Sequence, residues 1–574
     1  MTIRIRRILP ALMLTLTSAS LVGCYDSLNQ NVLTELTKEQ VDKEYEYKRY
    51  QATYLYNGLE NGRTAVGNAM LACVCDEAEY SYAGNVDKFN SGAWNEYDNP
   101  DDVWKSLFTY IRYANDFITS GNKVDLEVYR QDPDPNSQMI YETRMADMAN
   151  YIMEARFMRA YCYFELIKRY GGVPLMYEMV ALDADFSAFK RNTLQECVDF
   201  IVNECTDLMA EDGGLPLSYN AENSGRATCV AAAALKSRVL LYAASKLWNS
   251  TDWMGGYQHP ELVSMGSSAD AKTRWKMAAD AAKECIDLAV RAGLSLNIDY
   301  SYTGLSSDSP ELILARRESA SNAFEKANYP IGYTVGNGSI TPSQNLVDAY
   351  ETKSGRTFDW NDPEMAADPY ANRDPRLDKT VYRNGSKFRE TVIATYIGGR
   401  NGRGVPDATK TGYYLKKLVD ESLDLLQNRT SYHCWPVFRL AEIYLNYAEA
   451  LNEYAPSDPA VASSLNMCRK RNGVGMPAVA DGLSSDGMRE AIRRERRVEL
   501  AFEGHRYWDV KRWMIAVDVL NAPVYGIEIE NSEPPVYRRV VVESRTFTPK
   551  MYFYPIPQSV LSVPSVDWPQ NPLW

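Results

Sequence analysis

Small residues are threaded through long apolar helical stripes, and this feature limits the possible folds most. In Trp275-x-x-Ala278-Ala279-x-x-Ala282-x-x-Cys285-Ile286 and Tyr444-x-x-Tyr447-Ala448-x-Ala450-Leu451, large and small residues alternate at three- and four-residue spacings. Residues so spaced share one helix face, and alanines on that face let a second helix sit close. One such stripe has nothing to bury against alone, so the helices must stack in pairs. The period predicts helices over 103–118, 145–170, 194–209, 228–248, 273–292, 438–453, 459–470 and 488–502. The second ends at Gly171-Gly172-Val173-Pro174, a clear stop signal. About four hairpins of tetratricopeptide type are expected, without a strict repeat of roughly 34 residues.

Residues 294–434 break the pattern. They are rich in Gly, Asn, Asp, Ser and Tyr, with breakers at Gly336-Asn337-Gly338, Thr341-Pro342-Ser343 and Asp374-Pro375-Arg376. Loops with short strands and helices are expected there, splitting the hairpins. The last 55 residues hold nine prolines and a β-like patch at 536–542, and should lie across the helical body. The predicted divisions are a leader (1–23), an N-terminal helical part (24–293), the insertion (294–434) and C-terminal hairpins with a Pro-rich tail (435–574). Together they make one mainly α body.

Arg4, Arg6 and Arg7 precede an apolar run from Ile8 to about Ala19, which is too short to span a bilayer but suits a secretory signal. Leu21-Val22-Gly23-Cys24 follows. A small residue before Cys, with Leu three positions upstream of it, resembles a bacterial lipobox, which implies cleavage before Cys24 and its acylation. Several acyl chains on one Cys make a lasting membrane anchor. Without the leader, 59 basic residues face 75 acidic ones, which argues against nucleic acid as a partner.

The nine remaining cysteines form no C-x-x-C and no zinc-like quartet, and their odd number cannot pair fully within the chain, so no essential disulfide framework is expected. His259, His433 and His505 lie far apart, and phosphate loops, dinucleotide fingerprints and nucleophile elbows are absent. Asp132-x-Asp134-x-Asn136 opens like a calcium loop, but Ser137 stands where Gly is wanted and Thr143 where the closing Glu belongs. Neither metal nor cofactor is expected. On a helix, Glu495 shares a stripe with Ala491, Ile492, Val498 and Phe502. A carboxylate there requires an arginine partner, so Glu495, Arg496, Glu499 and Arg506 read as structural, within a helix locked by its own Arg–Glu bonds.

Five blocks carry a family resemblance: the lipobox, EARFMRAYCYFELIKRYGGVPL (154–175), FRLAEIYLNYAEA (438–450), RRERRVELAFEGHRYWDVKRW (493–513) and YFYPIP (552–557). In this order they resemble the SusD/RagB family along essentially the whole chain. The resemblance implies a non-enzymatic outer-membrane lipoprotein that captures a nutrient, usually an oligosaccharide. It further implies delivery to a SusC-like TonB-dependent transporter, with the protein facing the cell exterior.

Forty tyrosines offer flat apolar faces with a hydroxyl handle, and a sugar presents C–H patches ringed by hydroxyls. Aromatic residues in polar loops have no obvious core to enter. Asp76, Tyr80, Tyr82, Trp94, Asn95 and Tyr97 in the first such region, and Tyr300, Tyr302, Phe324 and Tyr329 in the second, are therefore the expected ligand residues. Trp248, at the end of its helix, is expected to staple the hairpin, and neither it nor Trp253 is counted among the ligand residues. The rival functions are a peptide binder on the same architecture and a helical scaffold for protein partners. A glycoside hydrolase would need two carboxylates across a cleft, and the adjacent Asp76 and Glu77 would diverge.

Overall fold

The computed structural model describes residues 37–181, 184–266, 271–300, 306–333 and 335–574. The predicted leader, Cys24 and Tyr302 lie outside them. Ten helices build the body: α1 (Tyr45–Leu55), α2 (Trp104–Ser120), α3 (Pro135–Tyr170), α4 (Leu194–Leu208), α5 (Cys229–Ala244), α6 (Ala271–Arg291), α7 (Leu440–Tyr454), α8 (Pro459–Lys470), α9 (Ser485–Glu499) and α10 (His505–Arg512). Each of α2 to α7 packs on the next, and α8 and α9 both lie against α7. The result is the expected mainly α stack of tetratricopeptide-like hairpins.

Helix α3 begins ten residues before the predicted start because 135–144 is polar and carries no stripe. Its N-terminus is set by capping instead. The Asp134 carboxylate accepts the Asn136 N–H (2.8 Å) and Pro135 fills the first turn. The calcium-like Asp132 is spent the same way, accepting from the Asp134 N–H and the Ser137 hydroxyl. At the other end Gly171 adopts φ +72°, where a Cβ would stand 2.4 Å from the Leu262 carbonyl oxygen, so only glycine ends the helix there.

Helices α6 and α7 pair although the insertion separates them. Ala278, Ala279 and Ala281 of α6 share a core with Ala441, Leu445, Ala448 and Leu451 of α7, and with Leu240, Leu241 and Leu465 from either side. The small-on-large stripe thus closes across the split hairpin. Strand β2 (Leu312–Arg317) pairs antiparallel with β4 (Cys434–Arg439), clasping the start of the insertion to its end. A second antiparallel ribbon joins β1 (Ala78–Tyr80) to β3 (Ile340–Pro342). The predicted β patch is one arm of a hairpin, β5 (Val524–Glu530) with β6 (Val536–Glu543).

Glu495 is buried as expected, but its partners are not the arginines of its own helix. Arg376 and Arg469 bind it from the insertion and from α8. Glu499 is held by Arg376, Arg439 and Arg471, while Arg439 also grips Glu311 and Glu503. Burial alone would raise the Glu499 carboxyl, yet three guanidiniums hold it well below the usual range. Arg496 turns instead to Asp509 and Asn446. This network ties the insertion to the C-terminal helices. All nine cysteines after Cys24 are buried thiols.

Candidate functional site

Four of the predicted ligand residues are withdrawn from solvent, and each for a reason of packing. Trp94 is 1% exposed, stacked on Phe89 at 5.1 Å with Trp574 at 4.9 Å and the edge of Tyr554 at 5.2 Å. It is the seat of the C-terminal tail. Tyr300 donates its hydroxyl to the Val498 carbonyl (2.9 Å) and accepts from Lys417 (3.0 Å). Buried Tyr329 donates to the Asp420 carbonyl (2.5 Å) and accepts from Arg389 (3.2 Å). Asp76 is chelated by Arg506 (2.8 and 3.0 Å) and Arg497 (2.6 Å). Burial raises its carboxyl, but the two guanidiniums outweigh that and hold it well below the usual range. None of the four offers a free face or oxygen to a sugar.

The other expected ligand residues within the described residues fall into three places. Asn95 and Tyr97 are exposed, Tyr97 by 76%, beside a 410 Å³ cavity that the tail residues Pro557 and Gln558 also line. Phe324 is half-buried beneath the Arg63 guanidinium, 5.2 Å from its ring centroid. Tyr80 and Tyr82 are half-exposed and meet edge to face at 5.9 Å.

The β1–β3 ribbon explains why this last pair is presented. Tyr80 pairs with Ile340, and Ser81 continues the register by bonding the Ser339 and Gly338 carbonyls. Tyr82 then reaches the Asn337 carbonyl with its hydroxyl (2.7 Å). The Gly336-Asn337-Gly338 turn also bonds back to a third half-exposed residue, its Gly336 N–H donating to the Tyr333 carbonyl (3.1 Å). The buried Tyr414 phenol lies close to both Tyr82 and Tyr333. Tyr333 packs edge-on to Phe388 at 4.6 Å, and its hydroxyl accepts from Thr391 (2.6 Å) and Arg400 (3.0 Å). Lys410, anchored to the Tyr80 carbonyl (2.8 Å) and Glu79 (3.0 Å), borders the other side. Sequence reasoning missed Tyr333, Asn337, Arg400 and Lys410. Tyr333, four residues beyond Tyr329, carries the same signal, an aromatic in a Gly- and Asn-rich loop.

Three phenol rings with amide, ammonium and guanidinium groups around them can stack on sugar C–H faces and bond hydroxyls. Two carboxyls of this segment are raised: burial followed by the Asp76 charge pushes Glu77 up to about 8, and burial, opposed by the Arg545 guanidinium, leaves Glu79 up at about 7. His433 is buried against Glu325 (2.9 Å), and no group of three or more potential ligands able to hold a metal occurs among the described residues. A larger cavity of 1340 Å³ lies against α5, α6 and α9, where Arg489 pairs with Glu453 and Asp486, and Arg493 with Glu490. No helix of the described residues is long and apolar enough to cross a membrane.

Two family models match the chain. One, described as the SusD family, covers residues 310–574; the other, described as starch-binding and associating with the outer membrane, covers 27–241. A SusD-like protein, P25, of Formosa agariphila is 25% identical over 451 residues, spanning 75% of this chain and 73% of the relative. A SusD-like protein of Bacteroides fragilis superposes with a TM-score of 0.75 at 24% identity, over 94% of this chain and 99% of that one. A SusD-like carbohydrate-binding protein of the same organism gives 0.72 at 24%, over 92% and 100%. The mainly helical stack agrees with these likenesses, and the chain belongs to the SusD/RagB family.

Proposed function

We propose that this protein is a cell-surface glycan-binding lipoprotein that captures oligosaccharides on the Tyr80–Tyr82–Tyr333 platform. Acylated Cys24 anchors it to the outer membrane, and it hands its cargo to a SusC-like TonB-dependent transporter without altering it chemically. The observation that carries the reading is three half-exposed phenols, Tyr80 and Tyr82 at the end of the β1–β3 ribbon and Tyr333 on the adjoining turn, with Lys410 bonded to the Tyr80 carbonyl, the Asn337 carbonyl to Tyr82 and Arg400 to Tyr333. The starch-binding description of one family model, and a structural relative described as carbohydrate-binding, support the ligand class. The outer-membrane association in that same description supports the location.

Affinity electrophoresis through gels loaded with single polysaccharides tests it. The chain without its first 24 residues is expected to be retarded by at least one glycan. Tyr82→Ala and Tyr333→Ala should each weaken that retention about tenfold, equivalent to about 1.4 kcal/mol, with unchanged unfolding midpoints. Retention unaltered in both variants would remove the platform from the binding site.

A further inference from the structure

Two cations at the Tyr80–Tyr82–Tyr333 platform lack a full counter-charge among the described residues. Arg400 is the clearer case. Its Nη2 donates to the Tyr333 hydroxyl (3.0 Å) and the Val392 carbonyl (3.1 Å), its Nε reaches the side-chain oxygen of Asn401 (3.4 Å), and the guanidinium carbon lies 5.1 Å from the Tyr333 ring centroid. All of these partners are neutral. Among the described residues no carboxylate comes within ion-pairing distance of Arg400, and its second terminal nitrogen, Nη1, has no acceptor. The base of the side chain is pinned as well. Buried Asn401 accepts the Ala394 N–H (2.9 Å) and donates to the Ile331 carbonyl. Gly332, at φ +89°, passes so close that a Cβ there would stand 3.1 Å from the Asn401 side-chain nitrogen. A guanidinium held in this way loses little freedom on binding, and its planar fork suits two oxygens of one anion.

Lys410 is the second cation. It binds the Tyr80 carbonyl and Glu79, but Glu79 is shared. Arg545 takes its other oxygen (2.9 Å) and reaches on to Glu543 (2.5 Å). These two cations are balanced only if both carboxyls are ionised, and burial keeps Glu79 up at about 7. The exposed carboxylates of the neighbouring loops, Glu390 and Asp407, pair with neither Arg400 nor Lys410, although the Asp407 charge is felt at Tyr82. The chain as a whole is acidic, with 75 acidic residues against 62 basic ones, so unanswered cationic donors beside the binding rings run against its general charge. A neutral glycan leaves them unanswered, whereas an acidic one supplies the missing charge.

We infer that the platform selects an acidic glycan, whose carboxylate or sulfate oxygens are taken by the Arg400 guanidinium. The inference rests on the glycan-capture reading above and narrows its ligand class. Arg400 is then the residue that sets specificity, while the tyrosine rings supply stacking that any pyranose can use.

The test pairs acidic polysaccharides with their own charge-free forms: uronic-acid polymers with the carboxyl-reduced polymers, and sulfated polymers with the desulfated ones. Calorimetry gives the affinity ratio within each pair for the unaltered protein, Arg400→Gln and Arg400→Lys, and unfolding midpoints verify the fold. The expected ratio is about tenfold in favour of the acidic member of at least one pair, and that pair identifies the anion. The preference should vanish in Arg400→Gln and persist in Arg400→Lys, which keeps the charge. Retained glycans with no preference for the acidic member of any pair overturn the inference and leave the platform standing, as does a preference that Arg400→Gln leaves intact. Retention of no glycan by the unaltered protein overturns both.

Discussion

A carboxyl group taken out of water keeps its charge only if something replaces the lost hydration. Asp76 and Glu77 are neighbours with opposite fates: two guanidiniums keep the first ionised, and the second is pushed up to about 8. The sign of the consequence follows from proton linkage. Between the ordinary glutamate range near 4.3 and about 8, native Glu77 keeps a proton that the unfolded chain releases, so its contribution to stability falls as pH rises through that window. Urea midpoints between pH 5 and 8 should therefore decline less steeply for Glu77→Gln than for the unaltered chain; parallel curves would contradict this. Trp94→Ala opens a cavity under the tail and should cost about 3–5 kcal/mol, seen as a lowered melting temperature with glycan affinity of the folded fraction unchanged. Lost affinity at normal stability would return Trp94 to the binding site. At this scale the sequence was only half legible. Trp94 and Tyr82 stand in equally polar surroundings, but Trp94 is covered by Trp574 and Tyr554, more than 450 residues downstream, and no local pattern signals that.

Helices were the readable elements, because their apolar period is local. The α6–α7 hairpin declares itself through its alanines even though its halves are separated by the insertion. Ala448 is fully buried in that seam, and Ala448→Leu should overpack it by about 1–3 kcal/mol, read as a lower denaturant midpoint. No shift would mean the seam is loose. The start of α3 and the pairings of β1 and β2 were not readable: capping fixes the first, and the others depend on partners far along the chain. The same distance hid the partners of Glu495, since Arg376 lies 119 residues away. Glu495→Gln leaves Arg376 and Arg469 short of a buried counter-charge and should destabilise by about 3–5 kcal/mol, measured by chemical denaturation. A stable variant with altered glycan binding would reassign Glu495 from scaffold to site.

At the scale of the whole molecule, a stack of paired helices carries a loop-built aromatic cluster, and acylated Cys24 is the proposed tether. The stack follows from the stripes, and the order of motifs led to the family; the platform became visible only when the fold brought residues 80–82 against 333–342. The tether makes its own prediction: Cys24→Ala should move the protein from the outer-membrane fraction to the soluble one, followed by fractionation and immunoblotting, whereas unchanged fractionation would argue against acylation. The central claim is that sugar is held at Tyr80, Tyr82 and Tyr333, and a crystal structure of the protein with its retained oligosaccharide tests it most directly. The account predicts pyranose faces against these rings, with hydroxyls bonded to Arg400 and Asn337. Sugar bound elsewhere, with the three rings bare, would contradict it.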